Sequence, residues 1–543
     1  MRKTKANWPD TVPSELNYLH GKRPLHEYLA YHAERFPDQI AIHYYGSHLT
    51  WKEWNNYANQ LANYLTRIGI EKGDHIGLYM QNCPQYLISH YAIQKLGGIV
   101  VPLNPMYKSS ELSYLLMEGN VKGVVCGQEL LPMLEETEDH LAFILTVTYA
   151  YFINETNLAT VPADLKRDRQ ASRFTTLESL FEAESSEYQP ANVQMDDVGL
   201  MVFTSGTTGR PKAAMLTFAN ALFKTAATMA CNQVTQKDKL LAIAPLCHIA
   251  GMVMGVNLPV YGGNETVLLS RFDSETVVST IEDHRISMWY SIAPMNGAIL
   301  QIPGIHERDL SSLRLNLATS FGLQVTEYLS DQWKKVTDGG RLYEASYGLS
   351  ETHTCDTFMP QEHIKFGSCG IPVYETDVKI LNLESREEVR ANEEGEIVIK
   401  SPGVFKGYYN RPDATAATLK DGWVHTGDIG HLDEDGYLYF RGRVKEMIKS
   451  SGYSVFPEDV EALLNEHEAI MQSAVIGIPD ERKGEVIKAV VVLHPDHNKV
   501  SEQELIKWAS GHMAAYKAPK IIEIQESLPA TSSGKVLRRL LKE

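Results

Sequence analysis

The chain of 543 residues carries 51 Lys and Arg against 68 Asp and Glu, a formal charge of −17, with 43% hydrophobic and 22% charged residues. This mix excludes disordered, collagen-like and coiled-coil classes, and its acidic balance argues against a general nucleic-acid binder, whose affinity rests on clustered cations. At about 100–200 residues per domain, the length predicts a multi-domain protein with a sizeable core.

The first residues, Met1-Arg2-Lys3-Thr4-Lys5, are basic but lead to Asn7, Trp8, Pro9 and Asp10 instead of an apolar run. No signal peptide is expected, and the expected compartment is cytoplasmic. His26-Glu27 and His32 stand at H-E-x4-H spacing, which does not bring both imidazoles to one metal on a helix. Thr50-Trp51-Lys52-Glu53 is a capping box, and Trp54, Tyr57, Ala58, Leu61, Ala62 and Leu65 continue at helical spacing up to Gly69. Apolar runs at 76–80 and 98–101 flank a helical pattern over 85–96, the alternation of βαβ units and a largely parallel sheet. The polar stretch 154–189 reads as a surface excursion without chemistry. Six cysteines, with no C-x-x-C pair, predict reduced core thiols and neither a zinc site nor a disulfide framework.

The sharpest local feature is Thr204-Ser205-Gly206-Thr207-Thr208-Gly209-Arg210-Pro211-Lys212. It follows an apolar run at 198–203 and precedes a helical pattern over 215–229. Hydroxyls, two glycines and two cations between a strand and a helix suit a phosphate-cradling loop, because glycine admits close backbone approach and amides form an anion nest. Pro211 stands where a Walker A motif needs glycine, so the loop is not of that kind. Between Lys239 and Glu265 no charged residue occurs, enough length to span a bilayer at about 20 residues. Pro245, His248, Gly251, Gly255, Asn257, Pro259, Gly262 and Gly263 interrupt it, so buried strand, loop and helix are predicted there.

Beyond Pro360 short alternating runs at 376–381, 395–400 and 436–440, with the turn Asp433-Glu434-Asp435-Gly436, predict hairpins of a small β-rich subdomain. Asp433 and Asp435 lack the other ligands of an EF-hand, and no G-x-S-x-G elbow occurs. A helix over 457–465, strands at 473–478 and 487–493 and a helix over 501–512 predict a final α+β domain. The fold class is therefore α/β and multi-domain: a large N-terminal domain of βαβ subdomains with the β-rich subdomain, over 1–442, and a small C-terminal domain over 443–543.

The phosphate loop, Tyr347-Gly348-Leu349-Ser350-Glu351, Thr426-Gly427-Asp428, Gly442-Arg443-Val444-Lys445-Glu446 and Ser532-Ser533-Gly534-Lys535 occur in the order of the adenylate-forming superfamily. Gly73-Asp74, Pro102-Leu103-Asn104-Pro105, Gly477-Ile478-Pro479-Asp480 and Tyr516-Lys517-Ala518-Pro519 resemble further motifs of its acyl-CoA synthetases, so the similarity covers nearly the whole chain. This resemblance implies a ligase in which a carboxylate attacks the α-phosphate of ATP and a thiol then captures the acyl-adenylate. It implies that Thr204, Ser205, Gly206, Thr207, Thr208, Gly209 and Lys212 hold the β- and γ-phosphates. Tyr347 and Gly348 would pack on adenine, Asp428 would accept from the ribose hydroxyls with Arg443 beside it, and Glu351, with Thr204, would hold Mg²⁺. Lys535 would bridge carboxylate and α-phosphate, Lys445 would be the hinge of a mobile C-terminal domain, and Lys449, with Ser450-Ser451-Gly452, would approach the thioester-forming site after rotation.

The same resemblance narrows the acid. Amino-acid-activating relatives place Asp where this chain reads Pro245-Leu246-Cys247-His248, so an uncharged acyl tail is expected, with His248 at the carboxylate end of its pocket. Where the family often has Gly-Gly-Ala-Pro, this chain has Thr319-Ser320-Phe321-Gly322, so Phe321 and Gly322 are expected on the pocket wall. Ala213 and Phe218 likewise replace the usual Gly and His. The expected partners are a medium- or long-chain fatty acid, ATP and coenzyme A, with peripheral membrane contact through a lipid substrate; monomer and homodimer both stay open. Two alternatives stand beside this reading: a ligase that loads a carrier protein, and a catalytically silent ligand-binding member.

Overall fold

A computed structural model describes residues 7–134, 137–154, 161–166, 173–204, 211–320, 323–450, 453–480, 484–497, 500–531 and 536–542. Ser205 to Arg210, Phe321, Gly322, Ser451, Gly452 and Ser532 to Lys535 lie outside the described residues. Thr50 opens the helix Trp51–Arg67 with the expected reciprocal capping box: its side chain accepts from the Glu53 amide, and Glu53 accepts from the Thr50 amide. The expected βαβ unit is present as His75–Tyr79, the helix Pro84–Leu96 and Ile99–Leu103, with the two strands parallel.

Among the described residues, two seven-stranded sheets carry the large N-terminal part. One runs Gly407–Tyr408, Lys212–Thr217, Val198–Thr204, Ile99–Leu103, His75–Tyr79, Val121–Gly127, Phe143–Val147. The other runs Arg341–Glu344, Leu315–Thr319, Met288–Ile292, Leu240–Ala242, Thr266–Leu268, Ile40–Tyr44, Ser47–Thr50. One large apolar cluster joins them, with Trp51, Trp54, Trp289 and Trp333 fully buried inside it. A five-stranded antiparallel sheet built on Gly395–Lys400 and Trp423–Leu432 forms the β-rich subdomain. From Ile448 onward the chain builds its own sheet, around Gly484–Leu493 and Ile470–Asp480, and its own apolar clusters. The result is α/β, with a large N-terminal and a small C-terminal domain.

Two expectations need correction. The residues after the phosphate loop do not begin a helix: Lys212–Thr217 is a strand, antiparallel to Val198–Thr204, and the helix starts only at Phe218, capped by Thr217. The two described strands on either side of the loop are antiparallel partners. The helical pattern over 215–229 holds from Phe218 onward; Met215 to Thr217 belong to the strand, where Leu216 and Thr217 are buried. The polar stretch 154–189 also hides an anchor, since Leu177, Leu180 and Phe181 are buried and Phe181 packs its ring 4.1 Å from that of Tyr57.

The uncharged 240–264 segment folds as foreseen. A short strand, Leu240–Ala242, precedes the helical turns Ile249–Met252, Val253–Asn257 and Leu258–Gly262, the middle one a π-helix. Among the described residues no helix is long and apolar enough to cross a membrane. His26 and His32 are buried, and burial pushes their pKa values down to about 3 and about 4. Among the described residues no group of three His, Cys, Asp or Glu side chains could hold a metal.

Candidate active site

Strand register creates the first part of the site. Asp428 on Trp423–Leu432 pairs directly with Arg443 on Leu438–Arg443, so an antiparallel ladder puts opposite charges on adjacent positions of one face. The Arg443 Nε lies 3.0 Å from Asp428 Oδ1. Gly427 takes φ 69°, a left-handed value that glycine adopts readily, and the Asp428 amide donates to Thr426 Oγ1 at 3.0 Å. The other carboxylate oxygen, Oδ2, accepts from the Tyr347 hydroxyl at 2.6 Å. Burial, and then the Asp428 charge, hold the Tyr347 phenol well above its ordinary pKa. Burial works against the charge of Arg443, but Asp428, Glu446, Tyr347 and Glu351 outweigh it and raise its pKa.

The second part grows from the hairpin. Thr204 pairs with Lys212 across the two strands, and the Thr204 hydroxyl donates to the Lys212 carbonyl at 3.4 Å. The neighbouring strand Gly407–Tyr408 brings Tyr408 beside them, with the Lys212 Nζ 4.2 Å from its ring centre. The Tyr408 hydroxyl donates to Glu351 Oε1 at 2.5 Å. Burial lowers the Lys212 pKa, Glu351 opposes that and Lys445 adds to it. Sequence reasoning missed Tyr408; a tyrosine in Gly407-Tyr408-Tyr409 carries no chemistry of its own, and only strand pairing reveals its partner.

A single cavity of about 1030 Å³ joins these parts. Thr204, Lys212, His248, Tyr347, Gly348, Glu351, Asp428, Arg443 and Lys445 all line it. His248 caps the turn Ile249–Met252, its Nδ1 accepting from the Ala250 amide at 3.4 Å. Ile249, Ala250, Met254, Leu317 and Leu323 give the wall its apolar side chains, and Tyr290 and Thr319, whose hydroxyls lie 3.0 Å apart, line it as well. Glu344 also faces the cavity, accepting from the Ser320 amide at 3.2 Å and from the Ser320 hydroxyl at 2.5 Å. Burial raises its pKa to about 7, against the two Ser320 hydrogen bonds. Lys449 is not among the lining residues: it sits on Ile448–Ser450, and its amide donates to Glu485 Oε2 at 2.7 Å. Thr531 and Val536, which bracket the segment containing Lys535, do line the cavity.

The donor set suits a nucleotide triphosphate with Mg²⁺. Glu351 accepts from Tyr408, whose ring faces Lys212, the strand partner of Thr204, an oxygen ligand placed to share a hard cation with phosphates and water. A buried tyrosine next to a carboxylate–guanidinium pair suits a purine nucleoside with its ribose.

The profile of the AMP-binding enzyme family matches residues 29–409, and that of the AMP-binding enzyme C-terminal domain matches residues 459–535. The long-chain-fatty-acid–CoA ligase of Bacillus subtilis (strain 168) is 35% identical over 99% of this chain and 97% of its own length. A feruloyl-CoA synthase of Amycolatopsis sp is 33% identical over 93% of this chain and 96% of its own. Among solved structures, an anthranilate CoA ligase bound to anthranoyl-AMP superposes with a TM-score of 0.83 at 25% identity, covering 96% of both chains. The o-succinylbenzoate CoA synthetase of Bacillus subtilis, bound to ATP and magnesium ion, superposes with a TM-score of 0.80 at 27% identity, over 96% of this chain and 100% of that one. ATP, Mg²⁺ and coenzyme A are therefore the cofactor and co-substrates. The chain belongs to the AMP-binding enzyme family of the adenylate-forming superfamily and is an AMP-forming acyl-CoA synthetase.

Proposed function

We propose that the enzyme works on a medium- or long-chain fatty acid in the cytoplasm, with free coenzyme A as acceptor, and that residues 1–442 and 443–543 move as two domains about Lys445. The observation that carries this reading is the cavity, whose lining combines the cluster of Tyr347, Asp428, Arg443, Lys212 and Glu351 with the apolar side chains of Ile249, Ala250 and Met254. Its relative in Bacillus subtilis bears the name of a long-chain-fatty-acid–CoA ligase. His248 stands on the cavity wall where amine-selecting relatives carry Asp, which favours a tail without an amine.

On this reading the chain's own groups divide the work. Tyr347 and Gly348 pack on adenine, and Asp428, fixed by Arg443, accepts from the ribose hydroxyls. Lys212, with Ser205 to Gly209, holds the terminal phosphates. Glu351 and Thr204 hold Mg²⁺, which, when bound, offsets the charge of the phosphates. The substrate carboxylate oxygen attacks the α-phosphorus, an O–P bond forms, and the bond to the β-phosphate oxygen breaks with its electron pair leaving on pyrophosphate. Lys535 supplies positive charge between carboxylate and α-phosphate during that transfer. After rotation about Lys445, Lys449 faces the acyl-adenylate; the coenzyme A thiol gives up its proton to solvent, its sulfur bonds to the acyl carbon, and AMP leaves with the C–O electron pair.

Pyrophosphate release with ATP and Mg²⁺, across fatty, aryl and amino acids and with and without coenzyme A, tests the reading. Coenzyme A-dependent turnover greatest with fatty acids is expected. Preference for aryl or amino acids would overturn the substrate class, and acid-dependent ATP use without coenzyme A turnover would overturn the acceptor.

A further inference from the structure

Two residues after Glu351 the backbone does something that residues with a Cβ avoid. His353, Thr354 and Cys355 take φ of 58°, 53° and 49°, three successive left-handed residues of which none is glycine. Such conformations persist only where the surroundings over-determine them, and they concentrate at functional sites. This turn folds the chain back on the Tyr347–Glu351 motif. The Thr354 amide donates to the Leu349 carbonyl at 2.7 Å, and the Asp356 amide donates to the Tyr347 carbonyl at 2.8 Å. A Cβ on Gly348 would meet the Cys355 amide nitrogen at 2.6 Å, so the return leg lies directly against the motif.

What holds the return leg is an ion pair sealed from water. Lys224 and Asp356 each have 0% side-chain exposure, with the Lys224 Nζ 2.5 Å from Asp356 Oδ1. The same ammonium donates to the Cys355 carbonyl at 3.2 Å, and the Thr352 hydroxyl donates to Asp356 Oδ2. Lys224 belongs to the helix Phe218–Cys231, which continues directly from the Lys212 strand. Its stem runs over Gly403, where a Cβ would meet the Lys224 Cε at 2.1 Å. Neither Lys224 nor Asp356 lines the cavity. The pair thus ties the element that carries Lys212 to the loop that carries Tyr347 and Glu351, without reaching a substrate itself.

We infer that Lys224 and Asp356 are positioning residues for the adenylation step, holding the left-handed turn that sets Glu351 and Tyr347 against the Lys212 strand. A buried ion pair is weak evidence for stability, because apolar replacement of both partners is often neutral, whereas loss of one partner strands a charge. A role in geometry explains the pair better than a role in stability. The inference rests on the proposed metal-holding role of Glu351.

The test is the full-length double variant Lys224→Met/Asp356→Leu, which removes both charges together. It is expected to melt near the parent temperature, yet to need about 10-fold more Mg²⁺ for half-maximal pyrophosphate release, the scale seen when groups orienting a metal ligand are lost. Its capture of preformed acyl-AMP by coenzyme A should be unchanged. A folded double variant with the parent Mg²⁺ requirement overturns the inference. Should it fail to fold, Thr352→Val decides: it removes the hydroxyl that joins Asp356 to the Leu349 backbone beside Glu351 and should raise the Mg²⁺ requirement in the same direction, and an unchanged requirement overturns the inference. Glu351→Gln, run in parallel, separates the two levels. No change in that variant would remove Glu351 from the metal, whereas a shift there without one in the ion-pair variants would remove only Lys224 and Asp356.

Discussion

The Tyr408 hydroxyl donates to Glu351 Oε1 at 2.5 Å while the Tyr408 ring lies under the Lys212 ammonium at 4.2 Å. One side chain thereby fixes the orientation of an anion and offers a π-face to a cation, the groups proposed to hold Mg²⁺ and the terminal phosphates. Burial, followed by the Glu351 charge, holds the Tyr408 phenol far above its ordinary pKa, so it remains a donor throughout the working range.

Tyr408→Phe keeps the ring beneath Lys212 and removes only the hydroxyl. The Mg²⁺ concentration for half-maximal pyrophosphate release should rise about 10-fold, the usual effect of losing a group that orients a metal ligand. The KM for the fatty acid should stay as it was. A Mg²⁺ titration of the variant checks this; equal changes in both constants would show a general distortion of the site instead.

Asp428 joins three elements, accepting from Tyr347 and pairing with Arg443. Hydrogen bonds to a charged group contribute about 1.5–3 kcal/mol. Asp428→Asn should therefore raise the KM for ATP by about 10- to 100-fold, with little change in the KM for coenzyme A. Equilibrium binding of ATP to the variant provides the check.

These two predictions differ in how legible they were. Asp428, Arg443, Tyr347 and Glu351 lie in short ordered motifs, and their meeting is what the resemblance of those motifs to the adenylate-forming superfamily implied. The helix Trp51–Arg67 and the strands around it were readable because a capping box and 3.6-residue spacing are local properties. Tyr408, Lys224 and Asp356 were not readable, because each gains its role from a partner 57, 132 and 132 residues away. The start of the following helix was read three residues early for a related reason: Met215 to Thr217 are held by sheet pairing with Val198–Thr204, which periodicity cannot see.

Glu344 yields a pH prediction. Burial first, opposed by two hydrogen bonds from Ser320, places its pKa at about 7, above the 4.5 of an ordinary glutamate. Between those values the folded state binds the proton that the unfolded state has released, so stability falls as pH rises through that window. Glu344→Gln keeps a carbonyl to accept from Ser320 and cannot ionise. The melting temperature of the parent should fall relative to the variant by about 2 °C between pH 5 and pH 8, given the entropy of unfolding of a large domain. Parallel curves for the two proteins would place the Glu344 carboxyl outside that titration range.

Phe321 stands where the family often has alanine, in the segment between Thr319 and Leu323, both of which line the cavity. If its ring forms part of the pocket wall, Phe321→Ala frees space along the acyl path and should shift the kcat/KM optimum toward longer acids. A chain-length series from about eight to eighteen carbons, flanking the medium and long classes, measures this; each added methylene buried in the enlarged pocket contributes about 0.8 kcal/mol. An unchanged profile would remove Phe321 from the pocket wall.

The two lysines of the small domain provide the test of domain alternation. Lys449 lies outside the cavity while Thr531 and Val536, on either side of the Lys535 segment, line it. This arrangement matches the adenylation half of the proposed cycle, in which Lys535 serves the first step and Lys449 the second. Lys535→Ala should lower acid-dependent pyrophosphate release by about 100-fold, the scale of losing one preorganised electrostatic contact to developing charge, and should spare thioester formation from preformed acyl-AMP. Lys449→Ala should do the reverse. Lys445→Pro, which stiffens the proposed hinge, should leave single-turnover acyl-AMP formation intact and slow its capture by coenzyme A. Rapid-quench measurement of both half-reactions decides the matter, because equal loss of the two steps in either alanine variant would contradict a division of labour by rotation.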